Sequence, residues 1–269
     1  MAAFSHHFAF EFKTGIRNPA LMLMNYLLPL GFYVMMGAVM VKINPSYGDI
    51  LIPSMILFTA MSTALLGMPS PMVEQRDAGV YRSFKINGVP AYSILIIPVL
   101  TTIFHSLIVS AIIILTASPI FGGQNPSNWF ALVWGTLLST FTMGALGALI
   151  GVVSSGTRST VLLAQAIYLP SILLGNMMVP VEALPESIQS LSGLFPTTYG
   201  MTVFQYYAYG QQTVFDPIIS LLVLLSSIVI SFGLALLLFS WDSQNQTRRA
   251  NPLLGLLAML PYLFGMLFA

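Results

Sequence analysis

The densest group of charged side chains in the sequence lies in the short segment from Glu74 to Pro90. Of the chain's nine basic and eight acidic residues, five fall here: Glu74, Arg76, Asp77, Arg82 and Lys85. Tyr81 and Phe84 interleave with these charges, so a short helix would carry an apolar edge, and Pro90 would end it. Mixed charge beside an apolar edge is typical of a helix that docks into the groove of a partner protein. The alternative is a solvated loop.

One ionisable side chain, His105, falls inside the long apolar stretch from Ala91 to Ala117. Ionisable residues at membrane depth are candidates for transport or proton pathways, which makes His105 a candidate pathway residue. However, no Asp or Glu accompanies it within the apolar stretches. This absence favours the other interpretation, a neutral imidazole that hydrogen-bonds between helices.

Motifs for catalysis are missing from the sequence. It has no G-x-x-x-x-G-K-[ST] phosphate loop, no H-E-x-x-H and no G-x-S-x-G, and it contains no cysteine. We therefore expect a non-catalytic chain with no cofactor or metal of its own. If the protein is driven by ATP, the ATP and its Mg²⁺ must be bound by another polypeptide.

The composition indicates that this chain is surrounded by lipid. Only 6% of the residues are charged and 57% are hydrophobic, with a mean hydropathy of +0.86, whereas a soluble domain carries about 25% charged residues. This excludes a soluble enzyme, a disordered protein and a nucleic-acid binder, which would need a basic patch. The apolar runs are far longer than the segments of about ten residues typical of membrane β-barrels, so we predict a helical bundle.

Six apolar segments are long enough to span a bilayer, which takes roughly 20 residues. They are free of Asp, Glu, Lys and Arg: Ala20–Val41, Leu51–Val73, Ala91–Ala117, Trp129–Val153, Thr160–Pro180 and Ile218–Ser240. A seventh apolar stretch, Leu253–Ala269, either spans or lies partly embedded. Gly144, Gly147 and Gly151 of the fourth segment predict close helix packing, with a moving hinge as the alternative.

The basic residues predict the orientation of the chain. With a cytoplasmic N-terminus only Lys42 falls on the outer side, and the inner side holds eight: Lys13, Arg17, Arg76, Arg82, Lys85, Arg158, Arg248 and Arg249. Cytoplasmic loops of membrane proteins carry such an excess. We therefore predict a multi-pass protein of the plasma or inner membrane with its N-terminus in the cytoplasm, built as one domain over residues 1–269.

The first 18 residues have the pattern of an amphipathic helix at the membrane surface. Apolar side chains recur at every fourth position: Phe4, Phe8, Phe12 and Ile16. Asn18 and Pro19 would end this helix and open the first span. The helix is either a membrane anchor or a contact surface for a cytoplasmic partner.

The segment before the sixth span contains signals for two short helices. Pro185 is a good helix start and Gly193 a good stop, and Thr197 or Thr198 would cap a second helix that carries Tyr199. Aromatic residues at this density suit the outer membrane interface. An ordinary outer loop with an aromatic belt is the alternative.

Three segments together resemble the ABC type-2 permease family, the membrane subunits of ATP-driven exporters, over roughly residues 1–240. They are the N-terminal amphipathic segment, the charged segment from Glu74 to Pro90 and the segment before the sixth span. Glu74, Arg76, Asp77, Gly79 and Pro90 stand at the positions of that family's coupling helix, although Val80 replaces the Thr that commonly follows the glycine. The spacing of Pro180 and Pro185, and the run from Pro196 to Tyr199, resemble the family's extracellular re-entrant helices.

The resemblance implies an all-α, six-span bundle with an N-terminal interfacial helix, a cytoplasmic coupling helix at 74–90 and extracellular helices at 181–217. It further implies separate cytoplasmic ABC ATPase subunits as partners and a second permease subunit, identical or paralogous. Coupling to the ATPase would fall to Glu74, Arg76, Asp77, Gly79, Arg82 and Lys85, and the pathway would be lined mainly by the second and fifth spans. The charge-free spans favour a hydrophobic or amphipathic cargo, such as a drug or lipid. The alternative function is an ATP-independent secondary transporter or channel.

Overall fold

The computed structural model describes residues 2–181, 184–242 and 251–267, and all regular secondary structure in these residues is helical. Eleven helices are used below. They are α1 (Ala2–Arg17), α2 (Pro19–Ile43), α3 (Leu51–Asp77), α4 (Val80–Ile86), α5 (Ala91–Phe121), α6 (Trp129–Val153), α7 (Thr157–Leu174), α8 (Glu186–Ser192), α9 (Pro196–Val203, continued by a π-helical turn to Ala208), α10 (Pro217–Leu238) and α11 (Pro252–Met266).

Six helices are long and apolar enough to cross a bilayer, which confirms the predicted number of spans among the described residues: α2, α3, α5, α6, α7 and α10. Three of them begin with a polar side chain that accepts hydrogen bonds from the first backbone N–H groups. These caps are Asn18 for α2, Asn128 for α6 and Asp216 for α10. Pro19 and Pro217 follow the first and last of these caps, where a missing N–H costs nothing.

The fifth span ends earlier than predicted, so Pro180 does not belong to it. Helix α7 stops at Leu174, and Asn176 then adopts a left-handed backbone conformation with φ 61°. The Asn176 side chain holds this turn, because its Oδ1 accepts from the Val181 N–H over 3.2 Å and its Nδ2 donates to Gln205 Oε1 over 3.1 Å. Asn tolerates this conformation better than most residues.

Helices α3 and α6 form the centre of the bundle. Of the apolar window in each span, 94% is buried in α3 and 83% in α6, against 22% in α2 and α7 and 28% in α10. The two central helices pack closely at Gly147, where a Cβ atom would collide with the Ala64 carbonyl oxygen. This contact confirms the predicted close packing at the glycines of α6.

Most of the basic side chains in the described residues lie at the end of the bundle that contains α1. There the ends of α3, α6 and α10 meet the starts of α5 and α7, and this end holds Lys13, Arg17, Arg76, Arg82, Lys85 and Arg158. Lys42 lies at the opposite end, where the Gln124 N–H donates to the Gly48 carbonyl over 3.0 Å. Arg248 and Arg249 lie outside the described residues.

Candidate functional site

The hairpin of α3, α4 and α5 projects beyond the start of α2. Tyr26 of α2 is hydrogen-bonded to His105 of α5, and it lies seven residues, or about 10 Å, from Pro19 at a rise of 1.5 Å per residue. From His105 back to Ala91 is about 21 Å of helix by the same rise. Since the helices of a bundle run nearly parallel or antiparallel, the tip of the hairpin extends several ångströms past the first residue of the first span.

Among the predicted coupling residues, Arg76 lies inside this hairpin rather than on its surface. Only 5% of the residue is exposed. Its guanidinium donates to the carbonyl oxygens of Val152 over 3.3 Å and Ser154 over 2.8 Å, and to Asp77 Oδ1 over 3.4 Å. The last carbonyls of a helix have no partner within it and carry partial negative charge. Arg76 therefore caps the end of α6 and fixes it to α3, and in this conformation it is not available to a docking partner.

The inner side of α4 packs on the end of α10. Gly79 makes the turn into α4 with φ 75°, a conformation that favours glycine. Tyr81 is buried with its ring 5.9 Å from that of Phe239, and burial raises the pKa of its hydroxyl. Arg82 is hydrogen-bonded to the Asp242 carboxylate.

The segment after α10 was not among the residues predicted from the sequence. Besides Asp242, it provides Trp241, whose ring centroid lies 6.0 Å from Lys85 Nζ. An aromatic residue and an acid directly after an apolar span were the available signal, since the span itself is charge-free. This segment connects α4 to the sixth span.

The outer side of the hairpin tip is exposed, and we call it the docking face. It consists of Glu74, Asp77, Ser83, Ile86 and Asn87. Ile86 is 80% exposed, which is unusual for an isoleucine outside the lipid-facing surface. The structure thus divides the six predicted coupling residues, with two acids on the docking face, Arg76 inside, Gly79 in the turn, and Arg82 and Lys85 toward α10.

The N-terminal helix packs on the bundle through a contact face of Phe8, Glu11, Phe12 and Gly15. The Phe12 ring is stacked on the His105 ring, with centroids 4.7 Å apart and an interplanar angle of 3°, and Gln75 Nε2 donates to Glu11 Oε1 over 3.2 Å. The predicted stripe does not stay on this face. At 3.6 residues per turn, a spacing of four drifts by about 40° per step, and Ile16 is 44% exposed. The side chain of Phe4 lies outside the described part.

His105 is placed midway along α5, but the projection of the hairpin brings it beside α1 and the second turn of α2. Its Nδ1 is 2.5 Å from Tyr26 Oη, and its Nε2 faces Gly15 with no hydrogen-bond partner among the described residues. It borders a cavity of about 40 Å³ with polar lining at Glu11, Asn25, Gln75, Thr101 and Thr102. These contacts support a neutral imidazole that bonds between helices.

At the opposite end, α9 lies along one half of α6. A Cβ on Gly200 would be 3.3 Å from Ser139 Oγ, while the Ala208 carbonyl accepts from the Asn128 N–H over 3.0 Å. The stretch of α6 between these contacts is about 16 Å long, roughly half a bilayer. This placement agrees with a helix that enters the bundle and returns to the same side, and the membrane depth of α8 and α9 stays a prediction.

Of the residues predicted for the re-entrant helices, Pro196 and Tyr199 are buried, whereas Pro180 and Pro185 are exposed. Pro196 begins α9, and Pro185 directly precedes α8. The Tyr199 hydroxyl contacts two carbonyl oxygens, that of Gly193 over 2.7 Å and that of Tyr262 over 3.3 Å. Residues 182 and 183 of the same predicted segment lie outside the described residues.

The seventh apolar stretch forms helix α11, which packs against α10. Tyr262 Oη lies 2.5 Å from Ser227 Oγ of α10, and a Cβ on Gly255 would be 3.0 Å from Val153 at the end of α6. Helix α11 therefore runs from the α1 end of the bundle toward Tyr199. It is shorter than the six spanning helices, and residues 268 and 269 lie outside the described part.

Two comparisons with known proteins bear on the family of this chain. The model of the ABC-2 type transporter family matches residues 3–209. The chain is also similar to the "Putative transport permease YvfS" of Bacillus subtilis (strain 168), with 22% identity over 191 residues that cover 70% of this chain and 78% of the relative. Since the family match extends over most of its length, the chain belongs to the ABC-2 type transporter family and is the multi-pass membrane subunit of a transporter.

Proposed function

We propose that this chain is the permease of an ABC exporter and that separate ATPase subunits bind its docking face. The observation that carries the proposal is the projecting hairpin tip, where Glu74, Asp77 and the exposed Ile86 stand beyond the first span in a chain with only 6% charged residues. Exposed acids together with an exposed apolar side chain at one tip suit a partner groove with basic walls. ATP and Mg²⁺ would be bound on the partner.

The contacts of the hairpin supply a route for the motion of a bound ATPase. Arg76 connects the tip to the end of α6, and Tyr81 and Arg82 connect it to the end of α10. A displacement of α4 therefore acts on two spans at once, because these contacts are hydrogen bonds and close ring packing rather than a flexible loop.

We further propose that two permease subunits, identical or paralogous, form the transport pathway between them. The resemblance to the permease family implies the second and fifth spans as its lining, but 94% of the apolar window of α3 is buried within its own subunit. Helix α7 has an unpartnered apolar side that fits the pathway or a second subunit. Its exposed residues are Val161, Leu162, Leu163, Leu169 and Leu173.

The cargo that fits such a surface is hydrophobic or amphipathic, such as a drug or a lipid. The described segments of the spans carry no charge between their end turns, so a charged solute would find no counter-charge on its way. The excess of basic residues at the α1 end supports a cytoplasmic location for that end and for the N-terminus, in a plasma or inner membrane.

Site-specific cross-linking tests the docking face. Since the chain has no cysteine, Ile86→Cys would carry a single photo-cross-linker, and we expect it to label a polypeptide that binds ATP through a phosphate loop. The matched control is Asp49→Cys, which is exposed at the opposite end and should label no such protein.

Reconstitution in liposomes tests the energy source. When the ATPase that cross-linking identifies is reconstituted together with the permease, transport of a lipophilic dye should depend on ATP hydrolysis. Transport by the purified chain alone would contradict the proposal and support an ATP-independent carrier or channel.

A further inference from the structure

An open cleft of about 500 Å³ lies at the corner between α1 and α2. Its lining residues are Lys13, Thr14, Arg17, Asn18 and Pro19. Lys13 and Arg17 are both exposed, and neither has an ion-pair partner in the part of the chain that the structure describes. The lining thus contains two cations and no acid, which suits an anionic group.

The packing of α1 fixes the direction of these two cations. At about 100° per residue, Lys13 and Arg17 project from the side of α1 opposite to its contact face. Because the Phe12–His105 stack and the Gln75–Glu11 hydrogen bond hold that contact face on α5 and α3, both cations point away from the bundle.

The apolar surface of the bundle begins directly beside the cleft. Met22, Leu23 and Leu27 of α2 are 37%, 42% and 67% exposed, and Ile16 near the end of α1 is 44% exposed. Leu23 and Leu27 are one helical turn apart, which is about 6 Å along α2. A ligand in the cleft would therefore have a cationic surface at one end and an apolar strip at the other.

We propose that the cleft binds an anionic glycerophospholipid of the surrounding leaflet. Its phosphate pairs with Lys13 and Arg17, and an acyl chain lies along Met22, Leu23 and Leu27. A free phosphate would use the cations but not the apolar strip. Such a lipid would hold the corner between α1 and the first span, independently of what the protein transports.

Fluorescence quenching in nanodiscs tests this site on the full chain. A Leu23→Cys variant labelled with bimane is compared in discs that contain either brominated phosphatidylglycerol or brominated phosphatidylcholine. A basic residue near an anionic leaflet contributes about 1 kcal/mol, or about fivefold, to binding. We expect phosphatidylglycerol to quench at a lower mole fraction by about that factor per charge, and the preference to disappear in K13Q/R17Q.

Three controls separate the outcomes. Bimane on Val39→Cys, which is exposed near the opposite end of α2, should show no lipid preference that depends on Lys13 and Arg17. Lys42→Gln in the Leu23→Cys background should leave the preference unchanged. The charge-conserving variant K13R/R17K should keep the preference, which guards against misfolding as the explanation. Equal quenching by both lipids, or an unchanged preference in K13Q/R17Q, overturns the proposal. If millimolar glycerol 3-phosphate removes the preference, the cleft binds a soluble anion, and the proposal of a bound lipid is overturned.

Discussion

The guanidinium of Arg76 donates a hydrogen bond of 2.8 Å to the carbonyl oxygen of Ser154, just after the last residue of α6. This bond joins the charged hairpin to a central helix of the bundle. A charge reversal at Arg76 would therefore disturb the fold as well as any partner contact, and coupling has to be tested at other residues.

We expect Arg76→Met to lower the stability of the chain. The substitution leaves the carbonyl groups of Val152 and Ser154 without their charged donor, and a hydrogen bond to a charged group contributes about 1.5–3 kcal/mol. The midpoint of thermal unfolding in detergent should fall by several degrees. Arg82→Met is the matched control, because the Arg82 side chain is 56% exposed and exposed ion pairs contribute about 0–1 kcal/mol. Equal midpoints for both variants would contradict the anchoring role of Arg76.

The combined change Glu74→Lys and Asp77→Asn should weaken coupling without unfolding the chain, because an Asn side chain still offers an Oδ1 acceptor to Arg76. Both residues are exposed, and like charges placed across an interface cost several kcal/mol. ATP-dependent transport in proteoliposomes should fall by about tenfold or more, while the unfolding midpoint stays near that of the parent. Asp49→Lys, at the opposite end, should leave transport intact. Full transport by the double variant would show that the docking face takes no part in coupling.

The number of spans and the charged hairpin could be predicted from the sequence because both depend on composition within a continuous segment. Long charge-free runs specify spanning helices wherever they occur. The drift of Ile16 away from the contact face was also predictable, since a spacing of four does not match 3.6 residues per turn.

The burial of Arg76 could not be predicted in the same way. It depends on where α6 ends in space, 76 residues further along the chain. The same holds for Tyr199, which was predicted to lie in an outer helix and whose hydroxyl reaches the Tyr262 carbonyl 63 residues away. Both contacts join segments that are far apart in the sequence. The sequence pattern of one segment gives no information about where the other segment lies in space.

The close approach of α3 and α6 should make Gly147 intolerant of any side chain. In Gly147→Ala the new Cβ meets the Ala64 carbonyl, which is backbone and cannot rotate away. Overpacking of this kind costs about 1–3 kcal/mol, so the yield of folded protein and the unfolding midpoint should both fall. Gly31→Ala is the matched control within a span, because its Cβ would meet no atom within 4 Å. A Gly147→Ala variant as stable as Gly31→Ala would show that the two helices can separate freely.

Tyr199→Phe should loosen the junction between α9 and α11. The change removes a buried hydroxyl whose oxygen lies 2.7 Å from the Gly193 carbonyl and 3.3 Å from that of Tyr262, and an unsatisfied buried acceptor costs about 1–3 kcal/mol. Hydrogen exchange should increase in the backbone around Gly193 and along α11, with α3 unchanged. Tyr92→Phe, at a residue that is 53% exposed, controls for the loss of a hydroxyl as such. If exchange at α11 is the same in both variants, the Tyr199 hydroxyl does not hold α11 in place, and its packing rests on other contacts, such as those of Tyr262 with Ser227 and of Gly255 with Val153.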